Sequence, residues 1–401
     1  MVEHGDAECR FCDSGGGPLG LFGGRPDGVP DLPKLRRNVF STGLGRREAL
    51  LGDEGLVKEA LESAAAAAGP GGLVEFYSTC APLLLAGDTE PAVRAAAART
   101  GAVISRQDYN SYEEYSESRA AARSALILRG LKSGRKAGAK PRFDVALYGY
   151  DERLTGPLRG LLAKAGAGAA AGTEDLYGPL LGARLQVLRR RDEALCPAMD
   201  KAGIPWIVPP APFGFGGTRA WLKAVFGALG RRLPASAMPS REQAARLRSL
   251  RGQARKYRVG LVAPAEEIRN ITSDRLAEGL GIAAEAGFGF ELLVYLEGKD
   301  GRKAALGAAA ALGRALETRG LRTRFFSTPA ELQRLLSRGG GPDLVYSDLR
   351  RDPRVLAAGR NPFSSLLFEP GYEGALESAR RLLELCEWKF SARYLAGPPP
   401  F

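Results

Sequence analysis

Histidine is almost missing from this chain of 401 residues: His4 is the only one. It falls in an acidic, polar N-terminal stretch, Met-Val-Glu-His-Gly-Asp, which reads as a mobile end. So little histidine excludes Ser-His-Asp and Cys-His catalysis in the folded body, His-x-x-x-His zinc sites and a histidine general base. Cysteine is sparse as well. Cys9, Cys12, Cys80, Cys196 and Cys386 are too few, and odd in number, for a disulfide framework. In a reducing compartment each is a buried filler, a metal ligand or a catalytic thiol. No run of about 18 apolar residues occurs, which excludes a membrane span. The N-terminus has neither the basic nor the apolar region of a signal peptide. Gly-x-x-x-x-Gly-Lys-Ser/Thr is absent too, so ATP hydrolysis by this chain is not expected. These absences point to a soluble, cytoplasmic protein with no membrane partner.

What is present is ordinary for a globular protein: 45% hydrophobic and 25% charged residues. The length suits two or three domains, each able to bury its own core. Lys and Arg number 57 against 45 Asp and Glu, a formal balance of +12. The arginines cluster at 189–191, 231–232, 246–258 and 350–351 without interleaved aromatics. No stacking platform for nucleic acid is visible, which leaves a solvated face or an acidic docking partner.

Short β-rich runs alternate with longer helical patterns, the signature of an α/β fold with parallel sheets flanked by helices. Helices are expected at 54–67, 90–100 and 112–129 around a strand at 73–78, followed by a basic Gly-containing linker at 131–142. Strands at 143–149, 185–188 and 204–208 alternate with helices at 154–164, 192–201 and 217–229. Pro234 to Pro239 marks a second boundary before a basic helix at 241–256. Strands at 257–263, 290–296, 322–326 and 343–347 then alternate with helices at 272–286, 302–319 and 329–338; a short element at 364–368 and a helix at 372–388 end the series. The reading is three Rossmann-like domains at 1–140, 141–235 and 236–401.

Gly166-Ala-Gly-Ala-Ala-Ala-Gly172 superficially resembles a dinucleotide loop, but it follows a helix rather than a strand. It reads as a flexible turn, and NAD is not expected. Cys9-Arg-Phe-Cys12 is a pair of thiols at chelating distance for zinc or an iron–sulfur cluster. Without a second Cys-x-x-Cys it is equally a free dithiol. Cys80 follows the strand 73–78, at the end where parallel sheets build sites, with Ser78 and Thr79 as donors beside it. It is a ligand or a small buried hydrophobe. Cys196 and Cys386 lie within apolar helical patterns and read as core.

Five segments carry a resemblance in register: Asn38 to Asp53; Tyr77-Ser-Thr-Cys80 with Ala86-Gly-Asp88; Gly203-Ile-Pro-Trp206 with Pro212-Phe-Gly-Phe-Gly-Gly-Thr218; Pro342-Asp-Leu-Val345; and Gly371-Tyr-Glu-Gly-Ala375. Over about residues 38–385 the chain resembles the nitrogenase component 1 family. The resemblance implies a three-domain α/β subunit that pairs with a like or homologous component 1-type subunit. It also implies electrons delivered by a separate ATP-dependent iron protein, with ATP used on that reductase alone. Cys80 carries over as a ligand of an iron–sulfur cluster of 4Fe-4S type shared with the partner subunit, with Cys9 or Cys12 as the upstream ligand. The usual His-Gly-x-x-Gly-Cys context is missing, and the family's further upstream cysteine would precede Met1, so the N-terminal module is shortened.

Nitrogenase proper holds its FeMo-type cofactor with a middle-domain cysteine and a third-domain histidine. The cysteine position falls near Val187-Leu188, and no histidine follows His4. Neither that cofactor nor dinitrogen reduction is expected, because an apolar side chain cannot ligate iron. The expectation is a reductase subunit acting on an unidentified, tetrapyrrole-like substrate, with tyrosines and acids such as Asp88 as proton-donor candidates. The alternative is a non-catalytic scaffold or pairing subunit.

Overall fold

Strands separated by helices cannot meet as tight hairpins, and every pairing among the described strands is parallel. The structure, a computed structural model, describes residues 2–5, 40–42, 44–45, 47, 54–70, 72–78, 82, 88–108, 141–150, 152–171, 182–193, 195–265, 268, 275–296, 302–316, 320–337, 339–347, 352–388 and 393–394. The expected helix at 112–129 and most of the 131–142 linker lie outside them, as do Cys9, Cys12 and Cys80. By contacts the chain divides into two compact units, Met1–Ala137 with Asp192–Gly203, and Gly138–Arg191 with Ile204–Phe401.

The first unit holds β1 (Val2–His4), β2 (Phe40–Ser41), α1 (Glu54–Ala68), β3 (Leu73–Ser78), α2 (Glu90–Thr100) and β4 (Val103–Asp108). The sheet order is β2-β1-β3-β4. Helix α1 puts Val57, Leu61, Ala64 and Ala65 on one buried face, at helical spacing, against Val2, Val74 and Phe76. Helix α2 begins with Pro at its first turn and ends where Gly101, at φ 68°, donates its N–H to the Ala97 carbonyl. Two expectations are corrected here. The N-terminal stretch is no mobile end: β1 lies inside the sheet, with Val2 0% and His4 1% exposed. The single histidine therefore belongs to the folded body. Strand β4, Val-Ile-Ser-Arg-Gln-Asp, lies at the sheet edge, where one covered face suffices, so it lacks the apolar run that marks central strands.

The second unit begins with β5 (Phe143–Tyr148), α3 (Glu152–Lys164), β6 (Ala169–Ala171) and β7 (Ala183–Leu188). Next in the chain comes α4 (Leu195–Lys201), which groups with the first unit. Then follow β8 (Trp206–Ile207), α5 (Gly214–Ala228), α6 (Arg241–Ala254), β9 (Arg258–Pro264), α7 (Arg275–Glu285), β10 (Gly289–Tyr295) and α8 (Arg302–Ala315). Last are β11 (Arg322–Phe326), α9 (Pro329–Ser337), β12 (Leu344–Tyr346), α10 (Pro353–Ala357), β13 (Asn361–Phe363) and α11 (Gly371–Glu387). They form one sheet of order β6-β5-β7-β8 and another of order β11-β10-β9-β12-β13. The stretch read as a flexible turn contains β6, which pairs Ala169 with Val145. Three alanines give no apolar signal, yet the sheet edge accepts them. Strand β8 is shorter than expected because prolines at 205, 209 and 210 remove backbone donors around it. Among the described residues no helix is long and apolar enough to cross a membrane.

The two sheets of the second unit share a joint. Gly214, at φ 75°, opens α5, and a Cβ there would lie 2.8 Å from the Glu285 carboxylate. That carboxylate accepts from the N–H groups of Phe215 at 2.5 Å and Gly216 at 2.8 Å, covering the positive end of α5. Thr218 Oγ1 donates back to the Pro212 carbonyl at 3.1 Å, and Gly371 N–H reaches the same oxygen at 2.9 Å. The glycine-rich segment 212–218 is thus a helix start fitted around a carboxylate.

Among the described residues one charged side chain is wholly buried: Glu291 on β10, 0% exposed. It pairs with Arg324 of β11, and Arg258 of β9 lies 3.9 Å away. Removing one member of such a pair leaves an uncompensated charge in the core. Arg324→Met is expected to cost about 3–5 kcal/mol, read as a shift of the urea midpoint followed by tryptophan fluorescence. The double change with Glu291→Leu should recover most of that loss. An unchanged midpoint for Arg324→Met would mean the pair is solvated.

Candidate functional site

In the first unit, parallel register brings three strand exits to one edge. Val2 pairs with Phe40 on one side and with Phe76 on the other, and His4 stands opposite Ser78. The exits of β1 and β2 are tied by one hydroxyl. Thr42 Oγ1 hydrogen-bonds His4 Nδ1 at 3.1 Å and accepts from the Gly5 N–H at 3.3 Å. The Gly5 carbonyl accepts from Leu44 N–H at 2.8 Å. The His4 ring stacks on Phe76 with centroids 5.9 Å apart. Cys9 follows Gly5 by four positions and Cys80 follows Ser78 by two, all three site cysteines lying outside the described residues. Among the described residues no three His, Cys, Asp or Glu side chains come together as a metal site. Cys196 on α4 and Cys386 on α11 are buried, as apolar helical surroundings implied. Asp88 is largely exposed and accepts from the Glu90 N–H at 3.0 Å. It thereby holds the first amide of α2.

The second unit gathers a polar group at the exits of β5 and β7, which run side by side with Tyr148 opposite Leu188. Gly149, at φ 76°, turns the chain out of β5, and a Cβ there would meet Arg189 at 3.6 Å. Arg189 N–H donates to the Tyr148 carbonyl at 3.0 Å. The Arg189 guanidinium, its side chain 9% exposed, pairs with Glu278 of α7 at 3.1 Å. Beside it the buried phenol of Tyr150 accepts from Trp221 Nε1 of α5 at 3.1 Å. Burial pushes the Tyr150 phenol up to about 12, more than the Trp221 hydrogen bond and the Arg189 charge pull it down. Tyr150 is therefore neutral at physiological pH and keeps a proton to share in a hydrogen bond.

Carboxyl ends of parallel strands are where open α/β sheets bind ligands, and this edge offers a cation, a carboxylate and a neutral donor. Sequence reading missed the group because Tyr150, Arg189, Trp221 and Glu278 are far apart in the chain. The available signal was position, since Gly149-Tyr150 and Arg189 each follow a strand directly. Val187 and Leu188, the last residues of β7, are both 0% exposed. Tyr372 carries a second buried phenol. Its ring lies against Phe215, centroids 5.3 Å apart, and its hydroxyl has no hydrogen-bond partner among the described residues.

The Tyr150 shift has a pH consequence. Below pH 10 both folded and unfolded chains hold the phenolic proton. Between pH 10 and about 12 the unfolded chain loses it first, so stability falls as pH rises through that window. The loss attributable to this group is about 2–3 kcal/mol. Tyr150→Phe is expected to flatten this alkaline limb in denaturation curves collected from pH 9 to 12; an unaltered limb would disprove it.

No protein-family model matches the chain, and no curated protein matches it. Among solved structures, one described as nitrogenase Cp1 at pH 5 aligns with a TM-score of 0.62 at 15% identity, covering 99% of this chain and 86% of that one. Another, nitrogenase Cp1 at pH 6.5, aligns with a TM-score of 0.56 at 13% identity, covering 96% and 88%. Likeness at this identity is one of architecture: the chain has an α/β, nitrogenase-like fold.

Proposed function

We propose that this chain is a nitrogenase-like reductase subunit that holds an iron–sulfur cluster through Cys80 together with Cys9 and Cys12. The single observation that supports it most is the pairing of His4 with Ser78. It sets the end of β1, five residues before Cys9 and eight before Cys12, beside the end of β3, two residues before Cys80, and chain of that length is long enough for the three thiols to meet. Four thiolates complete such a cluster, so the remaining ligand comes from a paired component 1-like subunit. When bound, the cluster supplies one-electron transfer. This chain's own contribution is to tie the β1 exit to the β2 exit through Thr42 and to back them with apolar residues. In this reading electrons arrive from a separate ATP-dependent iron protein, and the acceptor is an organic, tetrapyrrole-like substrate. The residue blocks 1–140, 141–235 and 236–401 act as three domains, each built on one sheet.

A second reading, a non-catalytic scaffold or pairing subunit, is favoured by Val187 and Leu188. Both are buried and apolar where the resemblance puts a cofactor cysteine. The experiment is anaerobic purification after co-expression with the neighbouring genes, with iron and acid-labile sulfide measured. The expected result is a coloured protein whose iron content falls severalfold on Cys80→Ala. Colourless, iron-free protein would sink the cluster reading. Iron-loaded complex whose activity survives alanine at Cys80, Cys9 and Cys12 would favour the scaffold.

A further inference from the structure

Helix α6 carries seven-residue spacing of an unusual kind: Arg241, Arg248 and Arg255, the last continuing the helical conformation at the C-cap. At 100° per residue the three fall within about 40° of one another, at steps of about 10.5 Å along the axis. All three are exposed, while Ala254 on the opposite face is buried. Between them on the same outer line stand Ala245 and Gly252, and nothing lies within 4 Å of where a Gly252 Cβ would be. Other arginines of the helix are engaged. Arg246 pairs with Glu373 at 2.7 Å, and Arg251 Nε donates to the Glu285 carbonyl at 2.9 Å. Arg241, Arg248 and Arg255 have no ion-pair partner among the described residues.

The helix is also held still. Ser240 and Gln243 form a reciprocal capping box, each side chain accepting from the other's N–H at 3.0 and 2.9 Å. Leu250 packs on the core cluster beneath. A rigid row of three uncompensated guanidinium groups separated by small residues is complementary to a row of carboxylates on a second helix. Small residues let the second backbone come close, and guanidinium–carboxylate pairs are directional.

We propose that this outer line of α6 is a docking surface for a protein partner that presents carboxylates at seven-residue spacing on one helix. Nucleic acid suits it less well. The line has no aromatic residue for base stacking, and Glu242 flanks it with a charge that repels phosphate.

The test uses the full chain and fluorescence anisotropy with three labelled probes. The first is a helical peptide of roughly 21 residues with Glu at every seventh position. The second is an isomer with the same glutamates scattered around the helix, and the third is a short duplex DNA. The in-register peptide should bind at least about threefold more tightly than the scattered one, and its affinity should fall with added salt. Changing Arg241, Arg248 and Arg255 to Glu should weaken it by roughly tenfold or more, at up to about fivefold per exposed pair. Changing them to Lys should retain most of the binding, which separates a charge effect from misfolding. Equal binding of the two peptides, tighter binding of DNA, or indifference to the Glu variant would each overturn the proposal.

Discussion

A parallel sheet sends every strand out through the same edge, and this constraint organises the molecule. Antiparallel strands would scatter the residues that follow them to opposite ends. Here β1 and β3 bring Gly5 and Ser78 to one edge of the first sheet, while β5 and β7 bring Gly149 and Arg189 to one edge of the second. The two edges differ in chemistry. The first is tied by a neutral hydroxyl under a stacked histidine; the second holds an ion pair and a phenol kept protonated by burial. The pairing sets the ends of β1 and β3, His4 and Ser78, side by side.

Carboxylates do the joining within the second unit. Glu278 and Glu285 lie seven residues apart on α7, close to one line along the helix. One reaches Arg189 at the β7 exit and the other reaches the first amides of α5. Helix α7 thereby fastens its own sheet to the other at two points, each carboxylate meeting a full or partial positive charge. This gives a physical account of the glycines at 214 and 216. They are required by the approach of a carboxylate from within the chain, so the segment 212–218 is a structural joint.

Much of the fold was legible because central parallel strands are buried on both faces and read as apolar runs. Leu73 to Ser78, Phe143 to Tyr148 and Gly289 to Tyr295 emerge in this way, and the amphipathic helices 54–68 and 90–100 emerge by their own spacing. The strands that escaped are three residues long, such as β6 and β13, or lie at an edge, such as β4. Such segments bury one face or none and need no apolar pattern. His4 was misjudged for a related reason. A three-residue strand gives no periodicity, and only its neighbours on both sides make it interior. The cysteines at 9, 12 and 80 stand out by spacing and context, whereas the Tyr150–Trp221 and Arg189–Glu278 pairs join positions 71 and 89 residues apart.

The sequence by itself determined the class of architecture, the periodic helices and the thiols available for metal chemistry, because each of these is a property of neighbouring residues. Tertiary structure alone decided that the N-terminal strand lies inside a sheet, that a glycine-rich segment wraps a carboxylate, and that four distant polar side chains share one sheet edge. Those outcomes depend on which strands pair and in what register. Pairing is chosen by burial summed over the whole unit, a quantity no local stretch of sequence contains.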